Sequence, residues 1–301
     1  MTALLLLVNA LVVPLLLVGV MRKVKALMQT RRGAPVLQPF YDTLRLLRKG
    51  ETISGTASWA FVWAPRLGLV VALAVAVLVP WSGIGPGFAG ATNFILVLYL
   101  MALGRFIAML AAMDTGSPFG GLGASREATI SLMVEPAMVI GLGALALGAG
   151  TMELSAIYDA PIRPIVALLV GGALLIAALA ELSRMPVDDP TTHLELTMVH
   201  EAMILENSGR NLALTEYAVA LRTCVLLGLV AQTVLHAFPV YVEMPLIARY
   251  AAGLAALFGV GALVAVAEGV LVKLKWRSVP NFLVYSVGLS LLAALIAVRK
   301  G

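Results

Sequence analysis

Acidic and basic side chains set inside long apolar runs are the groups in this 301-residue chain with chemistry to perform. A charge at the centre of a bilayer costs about 2.5–3.5 kcal/mol on insertion scales unless it is paired or hydrated, so each such residue is a functional candidate. Glu135 is the best placed, near the middle of an apolar run in SLMVEPAM (131–138). Pro136 has no N–H, which leaves the carbonyl of Leu132 without its helical donor and opens a polar backbone group beside the carboxyl. A carboxyl so placed can take up and release protons. The competing reading is a carboxylate that only pairs with a cation on the next span, such as Arg105. Glu127 precedes Glu135 by eight residues, which on a helix sets the two within roughly 80° of one another. They read as consecutive stations of a proton path. Glu216, Arg222 and Glu268 are further candidates for it, although they stand nearer span ends, where snorkelling competes. Asp114 reads as a solvated loop acid.

A second group of ionisable residues lies between spans, in the stretch Glu181 to Tyr217. Six of the chain's 16 acidic residues fall between Glu181 and Glu206 (Glu181, Asp188, Asp189, Glu195, Glu201 and Glu206), with His193 and His200, two of its three histidines. So many charges in a connection suit either a docking surface for a soluble partner or a charged path into the membrane. Asp189-Pro190 reads as an N-cap followed by proline at the first helical position, opening a helix that runs to Asn207 and stops at Ser208-Gly209. On that helix His193 and His200 share a stripe, Glu195 and Glu206 form another on the opposite side, and Glu201 lies between. The spacing does not suggest a metal. His200-Glu201 lacks the second histidine of an HExxH site, and ligands two turns apart are too far for one ion. Docking or hydrogen bonding is the expected role of these histidines.

No catalytic residue is assigned. The sequence carries no GxSxG, no P-loop and no GxGxxG after a strand. Gly120-Gly121-Leu122-Gly123 reads as a turn between spans. One cysteine, Cys224, rules out an intrachain disulfide and any CxxC-type iron–sulfur or zinc site, so no metal and no cofactor is expected in this chain.

The elements that must hold these groups are membrane spans. Hydrophobic residues make up 61% of the chain and charged residues 12%, against about 25% charged in soluble domains. Eight apolar segments are long enough to cross a bilayer as helices: Thr2–Val20, Trp59–Pro80, Asn93–Met113, Arg126–Leu147, Ile162–Ala180, Asn211–His236, Leu246–Val270 and Pro280–Val298. The first has positive charge only after it, at Arg22, Lys23 and Lys25, the reverse of a cleavable signal peptide. Threaded alternately, the loops after spans one, three, five and seven, with Arg66, carry 15 of the 21 Lys and Arg residues. That side is expected to be cytoplasmic and both termini external. The same clustering explains the net charge of +5 without nucleic acid. Within the basic loop 22–57, Val36, Leu37, Phe40, Tyr41, Leu44 and Leu47 follow helical spacing, which predicts a short helix in the membrane interface. The fold class is therefore all-α, a polytopic membrane protein of about eight transmembrane helices. Residues 1–301 form one transmembrane domain, and loops 22–57 and 181–211 form its partner-docking face.

Several of these motifs resemble a known family. RRGAP (31–35) and LQPFYDTLRLLRKGE (37–51) resemble the first cytoplasmic loop of the respiratory complex I membrane subunit that abuts the quinone cavity. Arg126–Glu135 resembles its fourth-span region, and ELSRMPVDDP (181–190) its E-x-N-R-x-P-F-D loop, with Ser183 in place of Asn and Val187 in place of Phe. The continuation PTTHLELTMVHEAMILENSGRNLALTEYA (190–218), with AEGVLVKLKWRSVPNFL (267–283), is more similar to subunit 4 of formate hydrogenlyase and its relatives in energy-converting [NiFe] hydrogenases. The resemblance covers nearly the whole chain. It implies a non-redox, complex I subunit 1-like anchor in the plasma membrane of a prokaryote. Hydrogenase large and small subunits carrying the [NiFe] centre and iron–sulfur clusters would dock on it, and antiporter-like subunits would pump protons or Na⁺ beside it. It carries functional weight onto Glu135, Glu181, Arg184 and Asp188. The rival expectations are the quinone-site subunit of a complex I-like NADH:quinone oxidoreductase and a stand-alone ion transporter. The departures at Ser183 and Val187 weigh against quinone chemistry, and no inverted repeat supports the transporter.

Overall fold

A computed structural model describes residues 2–83, 85, 92–189 and 198–299. In chain order it runs α1 (Thr2–Met28), α2 (Gln38–Arg48), α3 (Trp59–Leu78), α4 (Phe94–Asp114), α5 (Pro118–Ala149) and α6 (Leu154–Asp159). Then follow α7 (Pro164–Glu181), α8 (His200–Ile204), α9 (Gly209–Leu235), α10 (Pro239–Val242), α11 (Leu246–Val270) and α12 (Val279–Val298). A 3₁₀ turn, Trp276–Ser278, leads into α12. Among the described residues seven helical stretches are long and apolar enough to cross a membrane: α3, α4, α5, α7, α9, α11 and Trp276–Val298. Helix α1, at the first of the eight expected spans, has 27 residues and no charge before Arg22.

Local chemistry sets the helix ends. Ser58 and Asn93 cap α3 and α4, their side-chain oxygens accepting from the N–H groups of Ala60 at 3.1 Å and Ile95 at 2.9 Å. Proline opens α5 and α7, where a missing N–H costs nothing. Helix α5 starts eight residues before the span expected at Arg126. Gly120 and Gly123, read from sequence as part of a turn, lie inside it. They serve close packing instead: a Cβ on Gly120 would stand 2.4 Å from the carbonyl oxygen of Ala112, and one on Gly123 2.8 Å from that of Val199.

Helix α9 is the axis of the bundle, with 72% of its span buried against 22% for α12 and 28% for α3 and α11. It packs on α1, α2, α3, α7 and α11, while α5, α7 and α12 form the adjoining layer. Two polar regions flank this apolar core, one at each end of α9. At the end near His236, Tyr241 Oη donates to Gln232 Oε1 (2.8 Å), Tyr250 Oη to Asn9 Oδ1 (2.6 Å) and Asn9 Nδ2 to Ser82 Oγ (2.8 Å). The Tyr158 and Thr233 hydroxyls meet at 2.8 Å in the same region. The other end is ionic and holds most of the residues singled out by sequence.

Candidate functional site

Arg105 is the centre of the ionic end. It sits on the buried face of α4 and is 3% exposed. One terminal nitrogen donates to Glu181 at the C-terminus of α7, and the other to Glu135 on α5. A guanidinium presents fixed, spaced donors, so it can bind two carboxylates on two helices at once as a lysine cannot. The sequence pointed to Arg105 only as a partner for Glu135; its second carboxylate, Glu181, lies 76 residues away and carries no local signal.

Glu135 itself departs from expectation. Its side chain is 49% exposed, while that of Glu181 is fully buried. The reason is the helix face: Leu132, Glu135, Pro136 and Val139 make one exposed stripe on α5, at the i, i+3, i+4, i+7 spacing of a single helical side. Glu127 is the buried acid instead, 3% exposed and two turns below Glu135 on the same helix. It lies within electrostatic reach of Glu181, Arg222, Arg105 and Asp188. Its Oε2, the hydroxyl of Ser131 and Oε1 of Glu181 are buried without a hydrogen-bond partner among the described residues. Arg222 comes close to α4, where a Cβ on Gly104 would lie 3.4 Å from its Nη2.

The loop after α7 is tied down by charges from three other elements. Arg184 Nη1 donates to Glu268 Oε1 at 2.9 Å, and Lys25 Nζ approaches Glu268 Oε2 at 3.3 Å and Asp189 at 3.8 Å. Glu268 is therefore a buried, doubly paired carboxylate, where snorkelling from a span end was the competing expectation. Asp188 binds Lys273 and accepts the N–H of Val199 at 2.9 Å, joining the two described ends of the loop. Arg126 donates to the carbonyl of Met198 at 3.1 Å and stacks over Trp276. Lys25 and Lys273 had counted in the sequence only as topology-setting charges.

Between α1, α2, α9 and this loop lies a cavity of about 280 Å³. Arg22, Asp42, Glu216 and Glu201 line it, together with Arg184 and Glu268. Helix α2 forms one wall through Pro39, Asp42 and Thr43, while its predicted apolar stripe, Leu37, Tyr41, Leu44 and Leu47, faces outward. His200 lines the cavity too, with Nε2 buried. Burial, with Arg222 and Arg184 nearby, pushes its pKa down to about 4, so the ring is neutral near pH 7. His200 thus faces inward. Among the described residues the helix expected over 189–207 is seen only as α8, and Glu206 is exposed, away from the cavity. His193 and Glu195 lie outside the described residues. A set of carboxylates, guanidiniums and one neutral imidazole bordering a cavity with room for several waters can accept, hold and release protons.

Comparison with known proteins is consistent along the whole chain. The profile of the NADH dehydrogenase family matches residues 1–298. Hydrogenase-4 component C of Escherichia coli is 33% identical over 221 residues, 71% of this chain and 68% of the relative. Formate hydrogenlyase subunit 4 of the same organism is 31% identical over 217 residues, 70% of each chain. A subunit of the NADH-quinone oxidoreductase of Anaplasma phagocytophilum is 30% identical over 237 residues, 71% of this chain and 70% of that one. A chain in the structure of the membrane-bound sulfane sulfur reductase, an archaeal respiratory membrane complex, superposes with a TM-score of 0.82 over 98% of both chains at 21% identity. That last likeness concerns the fold.

Proposed function

The chain belongs to the NADH dehydrogenase family of complex I-like membrane proteins, and from that premise we propose that it is the non-redox coupling subunit of a formate-hydrogenlyase- or hydrogenase-4-type membrane complex. In this reading the loops 22–57 and 181–211 face the cytoplasm and receive the hydrogenase large and small subunits. Those partners carry the [NiFe] centre and the iron–sulfur clusters, which supply the electron chemistry. This chain moves charge. A change in protonation among the loop carboxylates around Asp188 and Glu268 alters the field at Glu181. Arg105 shares its two donors between Glu181 and Glu135, so a proton gained by one carboxylate frees the guanidinium for the other. A proton leaving Glu135 is then accepted by a neighbouring membrane subunit.

The observation that carries this reading is the bridge of Arg105 between buried Glu181 and half-exposed Glu135. A carboxylate left against lipid near the middle of a span costs about 2.5–3.5 kcal/mol on insertion scales. The outward stripe at Glu135 therefore suits contact with another protein, an antiporter-like subunit, better than lipid. Replacing Glu135 by Gln in the native complex should leave assembly and hydrogen evolution from an artificial donor in place. Proton movement per turnover in sealed vesicles should fall by about tenfold or more, the scale of losing one proton-transfer group. Unchanged proton movement would remove Glu135 from the path. A purified complex that reduces quinone and evolves no hydrogen would replace the hydrogenase assignment.

A further inference from the structure

Helix α2 turns one side to the cavity and leaves the other exposed. Pro39, Asp42 and Thr43 line the cavity. Leu37, Tyr41, Leu44 and Leu47 point away from it and are exposed, spaced as one side of a helix. The stripe they form is about 15 Å long at 1.5 Å per residue. An apolar strip of that length calls for an apolar neighbour.

Both ends of the helix fix its depth. A Cβ on Gly19 would stand 1.9 Å from the carbonyl oxygen of Val36, so the entry to α2 rests on α1 just before Arg22, its first charge. At the exit, Ser208 Oγ donates to the carbonyl oxygen of Thr52 at 2.9 Å. A Cβ on Gly209, the first residue of α9, would lie 2.3 Å from the carbonyl oxygen of Gly50. Helix α2 is therefore held against the polar ends of two long apolar helices, where the core of a bilayer gives way to headgroups.

Its cations complete the pattern. Arg45 and Arg48 follow Tyr41 and Leu44 by one turn each, and with Lys49 they border one surface depression. Among the described residues none of these three cations forms an ion pair. Asp42, the one acid on α2, is engaged elsewhere: it accepts from Gln38 at 2.8 Å and stands 3.7 Å from Arg22. Glu51 and Glu206, on the two segments that meet at Thr52 and Ser208, pair with none of the three either. A helix C-terminus by itself repels anions. Here its carbonyls are covered, since Leu46 accepts the N–H of Lys49 at 3.1 Å and Leu47 accepts Nε–H of Arg210 at 3.3 Å, which adds a fourth cation.

We propose that the outer side of α2 is a binding site for an anionic phospholipid, its phosphate on Arg45, Arg48 and Lys49 and an acyl chain along Leu44, Tyr41 and Leu37. Free phosphate would answer the cations and leave the stripe bare. A zwitterionic lipid would cover the stripe but bring its own cation to a place that already has three. The bound lipid steadies from outside the helix whose inner side walls the cavity. The site follows from where α2 lies, and it stands whichever soluble subunits dock on the chain.

The test places the purified complex in phosphatidylcholine nanodiscs with a trace of phosphatidylglycerol carrying a photoreactive acyl chain. Crosslinked peptides are located by mass spectrometry, and a photoreactive phosphatidylcholine serves as the comparison. The phosphatidylglycerol probe should label residues 37–47 more than the phosphatidylcholine probe by about fivefold for each cation that engages it. Arg48→Gln should lower that excess by about fivefold, and the triple variant Arg45→Gln/Arg48→Gln/Lys49→Gln should remove it. All three side chains are exposed, so both variants should assemble and melt as the parent does. Equal labelling by the two probes would overturn the site, because the stripe would then meet only bulk bilayer. Suppression by inorganic phosphate would reassign the cations to a free anion. Labelling that appears only after the soluble subunits are stripped would give the face to a protein partner instead of a lipid. An excess that the triple variant leaves in place would likewise overturn the proposal.

Discussion

Near Arg222, α9 borders carboxylates, guanidiniums and a cavity of about 280 Å³, and buried side-chain atoms around it, on Glu127, Ser131, Glu181 and His200, have no hydrogen-bond partner among the described residues. Near Gln232, further along the same helix, the polar groups are neutral apart from the Arg249–Asp159 pair and, Arg249 Nε excepted, engaged. Gln232, Thr233 and His236 each meet partners from other elements, and backbone and side chains close in around Trp81. The difference is one of satisfaction. Hydrogen-bonded neutral groups in a dry interior fix one arrangement. Charges that share partners, or lack them, leave several arrangements close in energy, which is what a device that moves charge requires. The charged end is the one the sequence pointed to, and the neutral end is architecture.

The largest effect that tests this division should come from Arg105→Met. It removes one cation from two carboxylates, one of them fully buried, and breaking a buried pair in this way costs about 3–5 kcal/mol. The complex should accumulate poorly or melt at a clearly lower temperature in detergent. Adding Glu181→Gln to the same chain should recover part of the loss, because it removes the charge left stranded. A variant as stable as the parent would mean that the charged end does not depend on its charges, and the contrast between the two ends would fail.

The neutral end should respond to shape rather than charge. A Cβ added at Gly228 would lie 2.5 Å from Cβ of Trp81 and 2.7 Å from its carbonyl oxygen. Backbone cannot yield there as a flexible side chain can, so Gly228→Ala should cost about 1–3 kcal/mol. Thermal unfolding of the purified complex would measure it. Among the molecules that assemble, protons moved per turnover should equal the parent value. A stable variant with altered coupling would place the far end inside the mechanism.

Spans were legible in the sequence because length and apolarity alone decide them. Acids inside spans were legible as candidates for the same reason. Their environments were not. Glu135 is central in its run, yet it faces outward because burial follows the face of α5 and not the position along it. Glu127, nearer the span end, is the one enclosed. Arg105 bonds residues 30 and 76 positions away, and Lys25 and Lys273 reach Glu268 and Asp188 across long gaps of their own. Pairings of that kind are set by packing and leave no periodic trace. The neutral network around His236 left none either, since tyrosine, asparagine and serine at span ends are ordinary interfacial residues.

A histidine also stands near each end of α9, half-buried His200 on α8 and buried His236, and acid distinguishes them. At the far end the His236 ring contacts the Gln232 carbonyl oxygen through Nδ1 at 2.6 Å and lies 3.4 Å from Arg249 through Nε2. Nδ1–H donates and Nε2 accepts, the one tautomer that suits both. His200 has an unpartnered Nε2, and burial with Arg222 and Arg184 lowers its pKa to about 4. An unfolded histidine titrates at about 6.5, so between about 6.5 and 4 the unfolded chain binds a proton that the folded ring refuses. For His200 stability is therefore level above that window, and this ring removes up to about 1.4 kcal/mol per pH unit as pH falls through it. Replacing His236 by Gln should cost stability already at neutral pH, because its partners are lost. Replacing His200 by Gln should cost little there and should flatten the acid limb by one proton's share, read as the thermal midpoint of the complex against pH. An acid limb that His200→Gln leaves unchanged would mean that its ring titrates normally in the folded chain, and the cavity it lines would then be wetter and less selective than the charged end requires.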